Sequence, residues 1–336
     1  MIGSRDKLAV LGAGSWGTAL ALLLARNGHQ VNLWGRDPEA VAALRRERRN
    51  RRYLPDHELP DAVTPVAEIA VALDGASLVV VVVPSSGFRA TLGGVLEATS
   101  GPLDVVWASK GFDPESGGLL HEVAAQLLPR GSRMAVLSGP TFAGEIAAGS
   151  PAAVTVASPD EAFAGRISDV FHNPRFRVYT SDDLIGVQAA GAVKNVLAIA
   201  AGIADGLGFG ANTRAALITR GLAELMRLGV GLGGREQTFM GLSGLGDLVL
   251  TCTDDQSRNR RFGLALARGM SVGQALESVG QVVEGAETTR QVMRAGNRIG
   301  VELPIAEQVY EVVHGGRAPE AAVNALLSRP VGRENM

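Results

Sequence analysis

The stretch DLIGVQAAGAVKNVLAIAAGIAD, residues 183–205, organises the rest of this 336-residue chain. Between its terminal aspartates, Lys194 is the only ionisable residue. Apolar residues surround the predicted helix on nearly every side, so the helix should be buried on nearly every side. Burial lowers the pKa of a lysine and can make it a general base near neutral pH. The alternative is a lysine that reaches solvent past its small alanine and glycine neighbours.

The character of the sequence changes at this helix. Before it, short apolar segments have the pattern of strands at residues 7–11, 30–34, 78–83, 105–108, 134–137, 153–157 and 176–179. After it, helical spacing prevails at residues 213–228, 257–268, 271–279, 284–300 and 305–313. We predict a strand-rich domain at residues 1–182 and a helical domain at residues 183–336. Ser181 is the predicted N-cap of the long helix.

The first strand pattern runs directly into GAGSWG, residues 12–17, and then into a helical pattern. Strand, GxGxxG and helix in this order form the dinucleotide-binding fingerprint. Gly12 allows the tight turn, Gly14 lets the backbone approach a pyrophosphate, and Gly17 allows close helix–strand packing. The motif predicts an α/β fold, with an N-terminal Rossmann-type doubly wound sheet and an all-α C-terminal domain. A glycine turn without a ligand is the alternative.

The end of the second strand bears on the choice of cofactor. An NAD-selective site usually has a carboxylate here that binds the ribose hydroxyls. In this chain Arg36 comes first and Asp37 is displaced by a residue. An arginine suits the 2′-phosphate of NADP through a charge-assisted contact. We therefore predict that NADP(H) is preferred and NAD(H) is accepted as well, with a solvated arginine as the alternative.

Polar groups follow two further strands at the same predicted sheet edge. Lys110 comes directly after one strand, and the loop SGPTFA, residues 138–143, follows the next. The carboxyl edge of an open α/β sheet is where ligands bind. Lys110 is therefore a candidate ligand contact, and a surface lysine is the alternative.

The second half of the chain contains a candidate phosphate site. Asp247 is predicted in a tight, apolar loop, and Ser257-Arg258-Asn259 opens a helix ten residues later. A hydroxyl, a guanidinium and an amide at a helix N-terminus suit a phosphate group. The alternative is an N-cap beside a solvated arginine. Glu284 starts another helix, where its charge fits the helix dipole.

Composition excludes several classes of protein. A net charge of −2 gives no general attraction to nucleic acid or to anionic membranes, so we predict no nucleic-acid partner. Polar residues in the middle of the long helix predict that it is no integral membrane segment. A single cysteine and an N-terminus without a signal-peptide pattern indicate the cytoplasm. The five scattered histidines offer no metal-ligand spacing.

A cluster of arginines follows the second strand. With no interleaved aromatic residues, it favours a solvated helix face over a nucleic-acid arm. Its members are Arg45, Arg46, Arg48, Arg49, Arg51 and Arg52.

These motifs together resemble the NAD(P)-dependent glycerol-3-phosphate dehydrogenases of bacteria, over essentially the whole chain. The resemblance lies in GAGSWGTAL, VVVVPSS, ASKGF, SGPTFAGEIAAG, GVQAAGAVKNVLAIAAGIADG, GFGANTRAALITRGLAE, GLSGLGDLVLTCTDDQSRNRRFG and GQVVEGAETT. It implies reversible hydride transfer between NAD(P)H and the small phosphorylated substrate dihydroxyacetone phosphate, giving sn-glycerol 3-phosphate for phospholipid synthesis. It also implies a homodimer, with each site between a Rossmann-type and a helical domain.

The resemblance assigns roles to individual positions. Lys194 matches the proton acceptor, and Lys110 matches a lysine that touches both cofactor and substrate. The other implied substrate contacts are Gly139, Thr141, Asp247, Ser257, Arg258 and Asn259. The other implied cofactor contacts are Ser15, Trp16, Arg36, Ala143, Arg258, Val282 and Glu284.

Physical chemistry supports a lysine in this role. A desolvated lysine can accept the proton of an alcohol and return it to a ketone by changing its protonation state. Lys110 would add positive charge beside the reacting oxygen, and Asp247 could orient Lys194. Two rivals remain. One is another two-domain NADP-dependent dehydrogenase, acting on hydroxy acids or sugar-acid phosphates, and the other is a non-catalytic NADP-sensing protein.

Overall fold

The structure is a computed structural model that describes residues 6–330. Its strands all lie before residue 182: β1 (Lys7–Leu11), β2 (Gln30–Trp34), β3 (Arg49–Asn50), β4 (Leu54–Glu58), β5 (Val63–Val66), β6 (Leu78–Val81), β7 (Asp104–Trp107), β8 (Arg133–Ser138), β9 (Ala152–Ala157) and β10 (Phe176–Ser181). On this change from strands to helices we propose the domain boundary at residues 182–183.

Helices lie between the strands and make up the rest of the described chain. Those of the first part are α1 (Ser15–Arg26), α2 (Pro38–Glu47), α3 (Ile69–Leu73), α4 (Ser85–Ala98), α5 (Leu120–Leu127), α6 (Ala143–Ala148) and α7 (Glu161–Phe171). Those of the second part are α8 (Leu184–Gly206), α9 (Ala211–Gly231), α10 (Glu236–Phe239), α11 (Asp247–Thr253), α12 (Arg258–Ala267), α13 (Val272–Val279), α14 (Glu284–Ile299), α15 (Pro304–His314) and α16 (Pro319–Leu327). A π-helical turn, Leu242–Gly246, leads into α11.

Eight strands form one sheet in the order β10-β9-β8-β7-β6-β1-β2-β5. All neighbours are parallel except β8 and β9. The chain builds from β1 towards β5 on one side and from β6 towards β10 on the other, so the direction of winding reverses beside β1. The predicted doubly wound, Rossmann-type sheet is confirmed. Ligands bind such sheets beyond the carboxyl ends of the strands at this reversal.

Both faces of the sheet are covered. Along β1, Leu8 and Val10 pack into one hydrophobic core, and Ala9 and Leu11 pack into the other. This alternation follows from the two-residue period of a strand. It explains why the central strands have continuous apolar sequences, as expected for a parallel sheet buried between helices.

The start of the long helix differs from the prediction. Ser181 is the last residue of β10, and Asp183 is the N-cap of α8. The Asp183 carboxylate accepts the Gly186 amide at 2.8 Å through Oδ1 and the Arg235 amide at 2.8 Å through Oδ2. A serine offers a single oxygen, so it could not join two segments in this way. The Ser181 hydroxyl instead accepts the amide of Asp183 at 3.1 Å.

Helix α8 is the central element of the helical part. Twenty of its 23 residues are buried, and α9, α11, α12 and α14 pack around it. A Cβ on Gly202 would overlap the carbonyl oxygen of Arg260, so this glycine sets the close crossing of α8 and α12. Within residues 6–330, α8 alone is long and apolar enough to span a membrane, but 94% of its apolar window is buried inside the protein. Here it is a core helix.

The arginine cluster is only partly a solvated face. Arg46, Arg51 and Arg52 are exposed, as predicted. Arg48, in contrast, is partly buried and donates to three backbone carbonyls, those of Leu59 at 3.1 Å, Pro60 at 2.6 Å and Val63 at 3.1 Å. For Arg48 the prediction was wrong, because this side chain ties the loop after β4 to the end of α2.

A buried carboxylate caps α15 from another helix. Glu224 of α9 is 2% exposed and accepts the backbone amides of Ile305 at 2.7 Å and Ala306 at 3.2 Å. Burial raises the pKa of Glu224 to about 7, against the opposing effect of these two hydrogen bonds. The folded protein therefore retains a proton on Glu224 at a pH where the unfolded chain has lost it.

This arrangement predicts a pH-dependent contribution to stability. A raised carboxyl pKa gives stability that is fully present below the unfolded value of 4.5 and is lost as pH rises through about 7. We expect the difference in unfolding free energy between wild type and Glu224→Gln to fall by about 3 kcal/mol between pH 4.5 and pH 8. Urea unfolding at four pH values measures this. Glu287→Gln, at an exposed position, is the control and should show no such change. The prediction is contradicted if the unfolding free energies of wild type and Glu224→Gln run parallel over this pH range.

Candidate active site

The glycine turn has the geometry that the sequence predicts. It joins β1 to α1, and α1 begins at Ser15 with no side chain capping its amides. A Cβ on Gly12 would lie 2.5 Å from the Val82 carbonyl oxygen, and one on Gly17 would overlap the Gly12 carbonyl. Around Gly14 there is open space. Uncapped amides beside open space at a helix N-terminus are suited to binding an anion.

Two lysines from different parts of the fold share one carboxylate. Lys194 of α8 donates to Asp247 Oδ1 and, at 2.9 Å, to the hydroxyl of Thr251. Lys110, which follows β7, donates to Asp247 Oδ2 at 2.6 Å and to the Gly139 carbonyl at 3.2 Å. Asp247 is only 1% exposed. The carboxylate therefore holds both ammonium groups at one buried point between sheet and helices.

The surroundings of Lys194 alter its acidity. Burial lowers the pKa of Lys194 from 10.5 to about 8, assisted by the charge of Lys110 and opposed by that of Asp247. Lys194 is 7% exposed, so the alternative of a lysine reaching solvent is wrong. A lysine with a pKa near 8 can both donate and accept a proton around neutral pH.

The predicted phosphate residues lie at the start of α12. Ser257 is its N-cap and accepts the Arg260 amide at 3.2 Å. Arg258 is the first residue of the helix, and its charge acts on Glu284. Asn259 is buried and donates to Asn195 Oδ1 at 3.0 Å. The turn is thus fixed against α8, one residue along from Lys194.

The same network reaches the first turn of α14. Asn259 Oδ1 accepts the Gly285 amide at 2.9 Å, and Asn195 donates to Glu284 at 3.4 Å. Burial raises the pKa of Glu284, and the positive charges of Arg258, Lys110 and Lys194 oppose that rise. Glu284 therefore lies within the electrostatic reach of the lysine pair.

The segment before α14 also approaches the glycine turn. Ser15 Oγ donates to Gln281 Oε1 at 3.4 Å, which joins the first turn of α1 to the helical part. Val282 follows, and it is 55% exposed. The indole nitrogen of Trp16 is buried without a hydrogen-bond partner among the described residues. Ser15 therefore contacts the residue directly before Val282, which is predicted to close on the cofactor from the other side.

The remaining predicted positions lie along the edge of the sheet. Thr141 donates to the Gly139 carbonyl at 3.3 Å, and Ala143 is the first residue of α6. Arg36 is exposed after β2. Asp37 is the N-cap of α2 and accepts the Glu39 amide at 3.0 Å. The Asp37 carboxylate is therefore engaged in capping α2, and Arg36 is the exposed charged side chain at the end of β2.

The sequence reasoning missed several residues of the site. It treated Asp247 as part of a loop, whereas Asp247 begins α11, so Thr251 lies one turn further on the same helix face. A helix predicted over these positions would have placed Thr251 on the same face as Asp247. Asn195 and Gln281 gave no separate signal, because only the folded chain shows what they bind. Among residues 6–330 no group of three or more His, Cys, Asp or Glu side chains could hold a metal ion.

The residues present fit a dinucleotide cofactor. The open space at Gly14 and the free amides of α1 suit a pyrophosphate. The unpartnered Trp16 indole nitrogen adds a further donor close to this turn. The lysine pair lies at the carboxyl end of β7, on the same edge of the sheet.

Fold and site together define a dinucleotide-dependent dehydrogenase. Two family models match the chain: the NAD-dependent glycerol-3-phosphate dehydrogenase N-terminus over residues 7–164, and the corresponding C-terminus over residues 183–324. The chain belongs to the NAD-dependent glycerol-3-phosphate dehydrogenase family.

Individual relatives agree with this assignment. Glycerol-3-phosphate dehydrogenase [NAD(P)+] of Pseudoalteromonas translucida is 56% identical over 97% of this chain and 98% of the relative. The protein of the same name from Thioalkalivibrio sulfidiphilus is also 56% identical, with the same coverage of 97% and 98%. The crystal structure of glycerol-3-phosphate dehydrogenase from Coxiella burnetii matches with a TM-score of 0.94 at 45% identity, over 97% of this chain and 99% of that one.

Proposed function

We propose that this protein catalyses the reversible reduction of dihydroxyacetone phosphate to sn-glycerol 3-phosphate with NAD(P)H, and that Lys194 is its general acid and base. Relatives that are 52–56% identical bear the name glycerol-3-phosphate dehydrogenase [NAD(P)+]. The observation that carries the proposal is the bridge from Lys194 through Asp247 to Lys110 at the ligand edge of the sheet.

The bridge leaves one donor on each lysine for a substrate. An ammonium group has three N–H donors. Lys194 uses two on Asp247 and Thr251, and Lys110 uses two on Asp247 and Gly139. Two lysines around one carboxylate also leave a net positive charge in a buried place. Such a site favours an oxygen on which negative charge develops.

The lysines have separate tasks in this proposal. When bound, the nicotinamide supplies or accepts the hydride. Lys194 gives its proton to the carbonyl oxygen during reduction and takes the hydroxyl proton during oxidation, as its pKa of about 8 permits. Lys110 stabilises negative charge on the same oxygen. Asp247 keeps both side chains in place.

The phosphate of the substrate would lie at the start of α12. Ser257, Arg258 and Asn259 offer a hydroxyl, a guanidinium and an amide beside the free amides of the helix. Binding at this remote group positions the reacting carbon and contributes to the rate. Gly139 and Thr141 would contact the substrate from the sheet side, next to Lys110.

The same proposal includes a preference for NADP(H) through Arg36. Arg36→Asp should reduce the ratio of kcat/KM with NADPH to that with NADH by about tenfold or more, because a charge-assisted hydrogen bond to the 2′-phosphate is lost. Steady-state kinetics with both cofactors measures the ratio. Arg130→Asp, which exchanges an exposed arginine before β8, is the control and should leave the ratio unchanged. An unaltered ratio for Arg36→Asp would remove this residue from cofactor selection.

A substrate panel tests the activity itself. NADPH absorbance is followed as NADPH is consumed with dihydroxyacetone phosphate or with a 3-oxo acid, and as it forms from NADP+ with a sugar-acid phosphate. The panel is repeated with NADH and NAD+. Oxidation of NADPH with dihydroxyacetone phosphate alone supports the proposal. Turnover only with another member of the panel, or NADPH binding without any turnover, would point to one of the rivals.

The family resemblance adds three further proposals. They are supply of sn-glycerol 3-phosphate to glycerophospholipid synthesis, a cytoplasmic location and a homodimeric state. Light scattering after size-exclusion chromatography tests the last directly.

A further inference from the structure

The arginine-rich segment after α2 has no place in the proposed reaction. It nevertheless contains one residue that reaches the glycine turn. Asn50, the last residue of β3, is 7% exposed and so lies in the interior, whereas its neighbours Arg51 and Arg52 are exposed.

The amide of Asn50 contacts both ends of the glycine turn. Its Nδ2 donates to the Ala13 carbonyl at 2.9 Å and to Thr18 Oγ1 at 2.8 Å. Its Oδ1 accepts the backbone amide of Tyr53 at 3.3 Å. The Tyr53 contact engages the oxygen of the side chain, so the nitrogen faces the turn. Thr18 itself is completely buried on α1 and donates its backbone amide to Gly14.

The contact with Ala13 determines where the next amide points. In a trans peptide the carbonyl and the following N–H lie in one plane and point in opposite directions. A fixed Ala13 carbonyl therefore directs the N–H of Gly14 away from Asn50. Around Gly14 there is open space, and this is the amide that a pyrophosphate at the N-terminus of α1 would meet first.

We propose that Asn50 is a positioning residue for the cofactor: by holding the Ala13 carbonyl, it pre-orients the Gly14 amide towards the pyrophosphate of NAD(P)H. The inference rests on the cofactor site of the proposed function and adds a residue outside the fingerprint. A pre-oriented donor binds more tightly because its ordering is complete before the ligand arrives.

The arginine cluster helps to keep Asn50 in place. Arg48 has a left-handed backbone with φ of 51°, which ends α2 and turns the chain into β3. Its guanidinium holds the carbonyls of the loop after β4, and Arg49 pairs with Glu58 across the β3–β4 hairpin at 3.1 Å. The hairpin is irregular between Arg49 and Asn50. The β3–β4 segment thus directs the Asn50 side chain inwards, towards the glycine turn.

The chain contains a matched control for this role. Asn32 of β2 is also 7% exposed and donates through Nδ2 to two carbonyls, those of Val71 at 3.1 Å and Ala72 at 3.0 Å. Asn50→Ala and Asn32→Ala therefore remove the same chemical group and the same number of hydrogen bonds donated by Nδ2, two in each case. Only the first change affects the turn.

The test measures cofactor binding by the full chain. Titration of NADPH fluorescence should give a dissociation constant about threefold to tenfold higher for Asn50→Ala than for wild type. This is the effect expected when one hydrogen-bond donor, the Gly14 amide, is no longer pre-oriented. Asn50→Asp keeps the size of the side chain but has no donor, and it should weaken binding at least as much. Asn32→Ala should bind NADPH like wild type, although both alanine variants lower the melting temperature. At saturating NADPH, kcat should be unchanged.

Competition with fragments assigns the effect to the pyrophosphate. In Asn50→Ala the dissociation constant of ADP-ribose, which has a pyrophosphate, should rise by about the same factor as that of NADPH, and the dissociation constant of 2′-AMP, which has none, should keep its wild-type value. Wild-type affinity in both Asn50 variants would overturn the inference, and so would equal losses in Asn50→Ala and Asn32→Ala or equal losses for the two fragments. A wild-type protein that binds neither NADPH nor NADH would instead overturn the proposed cofactor site, and the inference with it.

Discussion

Lys194→Met is expected to lower kcat by about 10²-fold or more in both directions, because loss of a general acid–base group typically costs that much. Methionine is unbranched like lysine and fits an apolar helix environment, so the packing of α8 should survive. The dissociation constant of NADPH should therefore change little. Stopped-flow turnover and NADPH titration measure the two effects separately.

The pH profile gives a second test of Lys194. Because burial lowers the pKa of Lys194 to about 8, the protonated form needed for reduction disappears as pH rises through that value. The rate of reduction should fall there, whereas the rate of oxidation, which needs the neutral amine, should rise. Lys7→Met is the matched control, since Lys7 pairs with Asp74 at the surface at 3.4 Å. Near-normal turnover of Lys194→Met would remove Lys194 from the mechanism.

Asp247→Asn is expected to have the second large effect. The carboxylate is the counter-charge of the buried Lys194 ammonium and the partly buried Lys110 ammonium, and an amide of the same shape leaves them facing each other. Removal of one partner from a buried ion pair costs about 3–5 kcal/mol of stability. The pKa of Lys194 should fall further, so that its acid form is depleted at neutral pH and reduction slows. Urea unfolding and the pH dependence of kcat measure both consequences.

Two further variants separate an electrostatic effect on Lys194 from a general loss of stability. Asp113 is also 1% exposed, but its ion-pair partner is Arg89, at 2.8 Å, and not Lys194 or Lys110. Asp113→Asn should therefore lose stability without moving the pH profile of kcat. Adding Lys110→Met to Asp247→Asn removes the repulsion, and the double variant should be more stable than the sum of the single effects implies. An unshifted profile in Asp247→Asn would show that the bridge does not control Lys194.

Local patterns predicted much of the first half of the fold. The GAGSWG turn and the apolar runs predict β1, β2 and β7, because a parallel sheet buried on both faces has a distinctive sequence. Strand ends were less predictable. The run at residues 78–83 is apolar throughout, yet β6 stops at Val81. The short β3–β4 hairpin is charged and held by long arginine side chains, so it carries no strand pattern.

The candidate site was predictable only in part. Lys194 stood out because a charged residue in an apolar helix requires a partner. The sequence before Asp247, which is expected to orient Lys194, predicts a loop, because the π-helical turn before α11 is rich in glycine and has no helical period. Lys110 and Lys194 are 84 positions apart, and no spacing rule connects them. Long-range contacts of this kind follow from topology, which places the end of β7 opposite the middle of α8.

The carboxylate bridge has a consequence for spectroscopy. Of the 32 lysines and arginines in the chain only three are lysines, Lys7, Lys110 and Lys194. Arginine side chains do not release a proton in proteins under ordinary conditions. Reductive methylation with a ¹³C label would therefore give side-chain resonances from three amines at most, two of them from opposite sides of Asp247. The protonation of Lys110 and Lys194 can thus be followed directly from these resonances, because the arginines contribute none.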